Sequence, residues 1–563
     1  TQTISVTDAW HGMYQNYTMG FGGACDRYDP PQSPWCSDSF YLLRQLPEMH
    51  ARSPSSIKGS QHLPNYPYKN ATGAEIHTWR VGHWYSWMFE VGEVRKAKSE
   101  PNSDSAGGAQ THSQPDEFVF SKGGHQGGEG ADVGWEWWID NVFEELDAPN
   151  EFFFDEVQKL LYLYYNGTNV EEEGPPSSVV VPSHASLIEI RGNQSHPVEN
   201  IKIEGVGFTA SRPTYMEPHG IPSGGDWALQ RVGAVLLEGT RNVSISGNEF
   251  KRLDATAVFL SGFNRDTKIT HNDFAWLGMN GVALWGRTEG NDGRGGDQPR
   301  GVTFADNFCY EVGMFQKQSS CYFQAVSAQN RILRNIAFNL PRAAVNFNDG
   351  FGGGCEMGEN LLFNTCRESS DHGAFNSWDR LPYVTTIRNG SASTVPAWNN
   401  MHHNYIVANY AADGGCFDHD DGSAYYDMNH NFCVYGGHKS DFDGHSKVSR
   451  NSIHAYPVVY NATCASVGTQ KLPPRGYAEK YQGNRCILKP NNVYLEFNDM
   501  NVTELNDFNK MEAGFNGGNN TLYVAKGQVP IVKGNKTSLT LQQFQDLGHD
   551  KGTKVVEGIP PPK

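Results

Sequence analysis

The sequence predicts an all-β protein built on a right-handed parallel β-helix, and three observations carry that expectation. First, an asparagine returns after a short β-rich run, with an apolar residue close behind it. It does so in NVSISGNEF (242–250), DTKITHNDF (266–274), GVTFADNF (301–308), NRILRNIAF (330–338), MGENLLF (357–363), NMHHNYI (400–406), DMNHNFC (427–433) and KVSRNSI (447–453). The recurring residues are Asn248, Asn272, Asn307, Asn335, Asn360, Asn404, Asn431 and Asn451, separated by 24, 35, 28, 25, 44, 27 and 20 positions. A repeat of roughly two dozen residues, with loops inserted into some copies, cannot bury its own apolar face and implies a solenoid. Second, the runs alternate like strands and lack the 3.6-residue period of helical repeats. Third, asparagines at one place in every turn can stack their amides into a hydrogen-bonded ladder along the axis. A propeller or a sandwich fits less well, because no blade signature or paired-hairpin spacing occurs.

Taken in order, residues 1–180 read as a β-rich N-terminal module and cap, 181–460 as the parallel β-helix, and 461–563 as its end with a capping tail. The N-terminal part carries turn clusters such as DPPQSP (29–34) and GGHQGGEGAD (123–132), and a polar low-complexity stretch at 100–116. Trp79, Trp84, Trp87, Trp135, Trp137 and Trp138 are expected to form the core of that module. EFFFDEVQKLLYLYYNGT (151–168) reads as a hairpin and SSVVVPSHASLIEIRG (177–192) as a buried strand, with the first solenoid turn near 199–208. In the tail, 520–527 and 553–558 read as strands and 539–548 as a short helix. An open terminal turn is a bare sheet edge, so the module and the tail are expected to act as caps.

The chain has 563 residues, a net charge of −17 and ten cysteines. The charge argues against nucleic acid or an anionic membrane as partner, and no apolar run is long enough to span a bilayer. Ten N-x-S/T sequons occur, at Asn16, Asn70, Asn166, Asn193, Asn242, Asn389, Asn461, Asn501, Asn519 and Asn535. Together with the cysteines they point to the secretory pathway and to N-linked glycans. The cysteines fall into near neighbours, Cys25/Cys36, Cys309/Cys321, Cys355/Cys366, Cys416/Cys433 and Cys464/Cys486, which read as local disulfides. The chain begins at Thr1 without a leader and reads as a processed, extracellular protein.

The block WWIDNVFEELDAPNEFFFDEVQKLLYLYYNG (137–167) resembles the segment that precedes the solenoid in β-helix glycoside hydrolases, among them families 120 and 141. Their frequent pattern there is "N…L…PGEWYLD…TLYY". Asn150 stands in place of the usual Gly, while Glu151, Phe154, Asp155, Leu161 and Tyr162 hold the other positions. LTLQQFQDLGHDKGT (539–553) is similar to their C-terminal stretch. The resemblance runs from about 135 to 555 and implies a carbohydrate-active ancestry on a pectate-lyase-like architecture.

Three segments align with one another: AVNFNDG (344–350), AFNSWDR (374–380) and CFDHDDG (416–422). If Val345, Phe375 and Phe417 point inward, their successors point outward. Asn346, Asn376 and Asp418 then form one column, and Asn348, Trp378 and Asp420 a second. At the edge, Asp349, Asp379 and Asp421 form a third. Neighbouring turns lie about 4.8 Å apart. Carboxyls at that pitch push one member of a pair to keep its proton while the other ionises, the division of labour that glycoside hydrolysis needs. Adjacent turns suit a retaining geometry and turns two apart approach an inverting one. Asp379 and Asp421 are the central candidates, with Asp349 and Asp371 as substitutes. His372, Arg380, Lys439 and His445 stand beside the acids, and Trp378 offers a flat face for a sugar ring. Asp-Gly pairs are also ordinary turn formers. Asp418–Asp421 offers oxygen ligands of the kind Ca²⁺ takes, without EF-hand spacing, and no other cofactor is expected.

The leading expectation is therefore a secreted glycoside hydrolase acting on a polysaccharide through paired aspartates. A lyase or epimerase would need a basic group for a uronate carboxylate, for which Arg367, Arg380, Lys439 and His445 are available. A glycosylated matrix, coat or filament protein without activity, capable of self-assembly through a sheet edge, is the reading from another class.

Overall fold

The computed structural model describes residues 56–58, 69–80, 82–84, 86–95, 117–124, 133–165, 178–220, 227, 229–287, 295–348, 352–378, 397–411, 414–420, 423–440, 445–457, 463–467, 476–497, 500 and 514–558. Within them the chain winds as a parallel β-helix. Each turn contributes a strand to three sheets in succession, here called I, II and III, of 15, 11 and 12 strands. Sheet I starts at Ile188–Arg191, sheet II at Lys202–Glu204 and sheet III at Gly207–Phe208. The coil runs on past residue 460 through Ala465–Val467, Glu479–Gln482 and Arg485–Ile487, and sheet III ends at Lys554–Glu557.

Strand periodicity puts alternate side chains inside. Ile203, Ile245, Ile269, Phe304, Ile332, Met357 and Met401 form one buried column in sheet II. Phe208, Phe250 and Phe274 stack at 4.7 and 4.9 Å in sheet III. Each such side chain stabilises the fold by about 1.5–3 kcal/mol through burial.

The asparagine ladder forms as expected along the corner between sheets II and III. Asn272 Oδ1 accepts from the backbone N and Nδ2 of Asn248, both at 3.0 Å. Asn272 Nδ2 donates to the Ile245 carbonyl at 3.0 Å and to Asn307 Oδ1 at 3.1 Å. The same pattern links Asn307, Asn335, Asn360, Asn404 and Asn431. One position needs correction. Asn451 has a left-handed φ of 53°, the conformation of the residue just before each ladder position, and Ser452 takes the ladder place. The ladder then resumes at Asn484 and Asn520.

Three of the expected disulfides are present: Cys309–Cys321, Cys416–Cys433 and Cys464–Cys486. They join the same two columns, the middle of a sheet III strand and the residue entering a sheet I strand. Cys355 and Cys366 are not bridged. Cys355 enters a sheet II strand and Cys366 leaves the following sheet III strand, so they occupy different columns. The Cys366 thiol points instead to the Gly373 carbonyl at 3.3 Å. Cys25 and Cys36 lie outside the described residues.

N-terminal to the coil, five strands form an antiparallel sheet in the order Ser56–Lys58, Glu117–Gly123, Ser86–Arg95, Glu75–Arg80, Val133–Asp140. Trp79 and Trp87 are buried there, as expected of its core. The hairpin pairs Phe152–Asp155 with Leu160–Leu163. The buried strand expected at 177–192 shortens to Ile188–Arg191. Val179, Val180 and Val181 are 61–79% exposed, because the first sheet I strand begins only after them. At the other end, helix α1 (Leu541–Asp546) carries a capping box between Thr540 and Gln543 and buries Leu541 and Phe544 over the last turns.

Candidate functional site

Sheet I has an outward column whose chemistry changes halfway along. Leu236, Phe259, Ala283 and Phe323 occupy it for four consecutive turns, followed in register by Asn346, Asn376 and Asp418. The apolar half is covered by Trp227, which stacks on Phe323 at 4.4 Å. The polar half begins where the alignment of the three segments placed it, with Val345, Phe375 and Phe417 in one inward column.

The polar half is a connected group. Arg342, fully buried, lies 4.4 Å over the Trp227 ring and donates to Asn346 Oδ1 at 2.9 Å. Asn376 Nδ2 donates to Asp418 Oδ2 at 2.8 Å. His372 Nδ1 stands 3.8 Å from the same carboxylate oxygen. His372 Nε2 is 2.9 Å from the Trp84 carbonyl, which can only accept, so Nε2 carries a hydrogen. A further proton on this pair makes His372 an imidazolium facing a carboxylate, or Asp418 a neutral acid.

The N-terminal sheet closes over this edge. Ser370 donates from its backbone to the His83 carbonyl at 3.2 Å and from its hydroxyl to the Gly82 carbonyl. Tyr215 bonds Glu75, and Lys317 joins Glu368 at 2.9 Å while lying over Trp138. Asn346, Asn376, His372 and Asp418 are consequently no more than 3% exposed.

The other expected site residues distribute as follows. Asp349, Asp379, Arg380 and Asp421 lie outside the described residues. The residues just before the three aspartates are described and stay in the ladder: Asn348 N donates to the Gln324 carbonyl, Trp378 N to Phe347 and Asp420 N to Ser377, each at 2.8 Å. Trp378, expected to present its face to a sugar, is 6% exposed, and Asn348 is buried too. Asp420 is half-buried, and Asp371 sits beside His372 with a left-handed φ of 67°. Lys439 continues the Asp418 column in register, its side chain lying outside the description. His445 belongs elsewhere. It starts a sheet II strand, edge-on to Tyr425 and Tyr477, and burial pushes its imidazole down to about 3. Arg367 pairs with Glu311 at 3.3 Å. Among the described residues no group of three or more His, Cys, Asp or Glu is placed to hold a metal ion, and Asp421 of the Asp418–Asp421 stretch lies outside them.

Two residues of the region carried no sequence signal. Arg342 reads as a surface arginine, because Trp227 reaches it from more than a hundred residues away. Asp254, at the corner between sheets III and I, has its carboxyl raised by burial within electrostatic reach of Tyr215. Asn70, Asn193, Asn242, Asn519 and Asn535 are all exposed, while Asn16, Asn166, Asn389, Asn461 and Asn501 lie outside the description.

No family model and no curated protein matches this chain. Among solved structures it is similar to a glycoside hydrolase, with 13% identity and a TM-score of 0.48 over 64% of this chain and 65% of that one. The match therefore spans just under two thirds of the length of that glycoside hydrolase. It is also similar to the catalytic unit of a thermostable GH87 α-1,3-glucanase from Streptomyces thermodiastaticus strain HF3-3. That match has 12% identity and a TM-score of 0.29 over 90% of this chain and 95% of that one.

Proposed function

We propose that this chain is a secreted carbohydrate-active protein, a glycoside hydrolase working at the outer edge of sheet I in the turns that contain residues 345–348, 375–378 and 417–420. The observation that carries the reading is the register of these strands. It aligns Asn348, Trp378 and Asp420, the residues before Asp349, Asp379 and Asp421, on turns that also carry Asn376, Asp418 and His372. In this reading one edge aspartate protonates the glycosidic oxygen and another serves as nucleophile or activates water, with Asp379 and Asp421 as the central pair. The resemblance of residues 137–167 to the segment before the solenoid in β-helix glycoside hydrolases supports the same reading. Three disulfides and five exposed sequon asparagines support an oxidising, glycosylating compartment. A mass shift on enzymatic deglycosylation of the secreted protein tests that part.

The deciding experiment is reducing-sugar release from a panel of neutral and acidic polysaccharides, with Asp379→Asn as control. Activity in the parent and none in D379N, at an unchanged or higher Tm, is the expected result, because one like-charge repulsion is relieved. A lower Tm with no activity in either protein marks the aspartates as turn formers.

One observation favours a second reading, a glycosylated structural protein of a matrix or coat. The described outward column is closed beneath the N-terminal sheet, with Asp418 and Asn346 fully buried. Assemblies in negative-stain images, together with no sugar release across the panel, would establish it.

A further inference from the structure

The inside of the solenoid is mainly apolar, with Gln324, Ser377 and His419 as buried polar exceptions in sheet I, until the turn made by His438–Ser440, His445–Arg450 and Ile453–Ala455. That turn places His438, Lys447, Ser449 and His454 at inward positions, all buried. Register identifies what they replace. His438 pairs with Phe417, Lys447 with Tyr426, Ser449 with Met428 and His454 with Cys433. One apolar cluster ends with Phe417, Tyr426, Met428 and Cys433, and a second begins with Cys464, Ala465 and Tyr481. The polar turn is the layer between two cores.

Charged and titratable groups meet in that layer from all three sheets. Lys447 Nζ, from sheet II, donates to Glu479 Oε1 at 2.9 Å and to the Ser423 carbonyl at 3.2 Å. His419, from sheet I of the turn before, bonds the Ser377 hydroxyl at 2.8 Å and lies 5.4 Å from the His438 ring. His454, from sheet III, lies 5.7 Å from Tyr481 on the turn after, and Tyr481 in turn faces Tyr494 and Asp550. His438 Nδ1, both ring nitrogens of His454 and the Tyr481 hydroxyl are sealed from solvent and meet no hydrogen-bond partner among the described residues. Such groups destabilise a fold by about 1–3 kcal/mol each. Buried water with two to four polar partners relieves that penalty.

We propose that this turn is a hydrated chamber in which ordered water joins His438, His454 and Tyr481, and that it is a seam dividing the solenoid into two units, of which the C-terminal one opens first in acid. Burial, reinforced by His454 and Lys447, holds His438 down to about 3, and burial alone holds His454 down to about 4. His445 is held down to about 3 and His419 lies well below its ordinary value. Folded, these imidazoles are neutral, whereas an unfolded histidine takes up its proton near pH 6.5. Their neutral state therefore imposes no penalty above about pH 6.5, and stability drains as pH falls from there toward the folded values. Asp550, pushed up to about 7 by burial, acts in the opposite sense, favouring the fold at low pH and losing that contribution as pH rises toward 7. The four depressed imidazoles outweigh this one raised carboxyl, so acid weakens the seam.

Hydrogen exchange read by mass spectrometry on the intact, disulfide-bonded chain tests this at about pH 7.5 and about pH 5, with rates corrected for intrinsic exchange. Peptides from 476–558 should lose at least about tenfold in protection at the lower pH while those from 235–433 keep theirs. His454→Leu places in this column the residue that Leu522 supplies two turns on, and should remove the share of the pH response that one of four imidazoles carries, about a quarter. His438→Phe, which continues the Phe417 column, gives the same readout if H454L does not fold. Equal loss in both halves, or a pH response unchanged in the variants, overturns the seam. A crystal structure without solvent density among His438, His454 and Tyr481 overturns the hydrated chamber.

Discussion

Asn335, in the corner between sheets II and III, accepts two hydrogen bonds from Asn307 and donates to the Phe304 carbonyl and to Asn360. Asn376, on the outer face of sheet I, repeats in register just as faithfully, yet its column runs from Asn346 to a carboxylate at Asp418. Both stacks are buried and both follow the solenoid axis. The corner ladder is neutral, and each amide meets the copy above and below, so it can extend for as many turns as the chain supplies. The outer column passes from Asn346 and Asn376 to Asp418 and draws in Arg342 and His372 from outside the strands. Repetition saturates hydrogen bonds, whereas heterogeneity concentrates charge. That difference separates a stack that only holds the fold from one that gathers a buried carboxylate, an arginine and a histidine.

Four substitutions press on the contrast. Asp418→Asn keeps the shape of the outer column and removes its charge. In an active enzyme it should lower turnover by about 10²–10⁴-fold with little change in Tm, read by initial rates and calorimetry. A Tm drop with full activity would make the outer column structural like the corner. Next, Asn335→Ala strands donors and acceptors on two neighbouring turns and should cost about 3–5 kcal/mol, against about 1–2 kcal/mol for Asn376→Ala, measured by urea unfolding. Equal costs would erase the distinction between the stacks. The smallest effect is a gain. Ser452→Asn restores an amide where a hydroxyl interrupts the ladder between Asn431 and Asn484, and should stabilise by about 1 kcal/mol. No gain would mean that the corner is too tight there for the longer side chain.

The corner ladder was legible in the sequence because a repeating environment demands a repeating residue. The slip at Asn451 has a physical cause. Asparagine suits both the left-handed position and the ladder position, and adjacent columns are indistinguishable when a serine fills the second. The inward column Val345, Phe375 and Phe417 was legible from strand alternation alone. The closure of the outer column was not. It depends on the backbone carbonyls of Trp84, which meets His372, and of Gly82 and His83, which meet Ser370, almost 300 residues away in sequence and encoded by no side-chain motif. Cys355 and Cys366 misled for a related reason, since sequence proximity does not reveal which column a cysteine enters.

The three disulfides have a mechanical consequence. A solenoid pulled from one end peels turn by turn, because each turn touches only its neighbours. Cys464–Cys486 and Cys416–Cys433 tie off loops on either side of the polar turn, and Cys309–Cys321 ties a third nearer the N-terminus. Peeling from the C-terminus therefore meets a covalent ring before it reaches the weak layer and another just beyond it. Under load the molecule behaves as a spring with three welded coils. Stretched in an optical trap, it should lengthen in steps whose total grows once a reductant opens the rings.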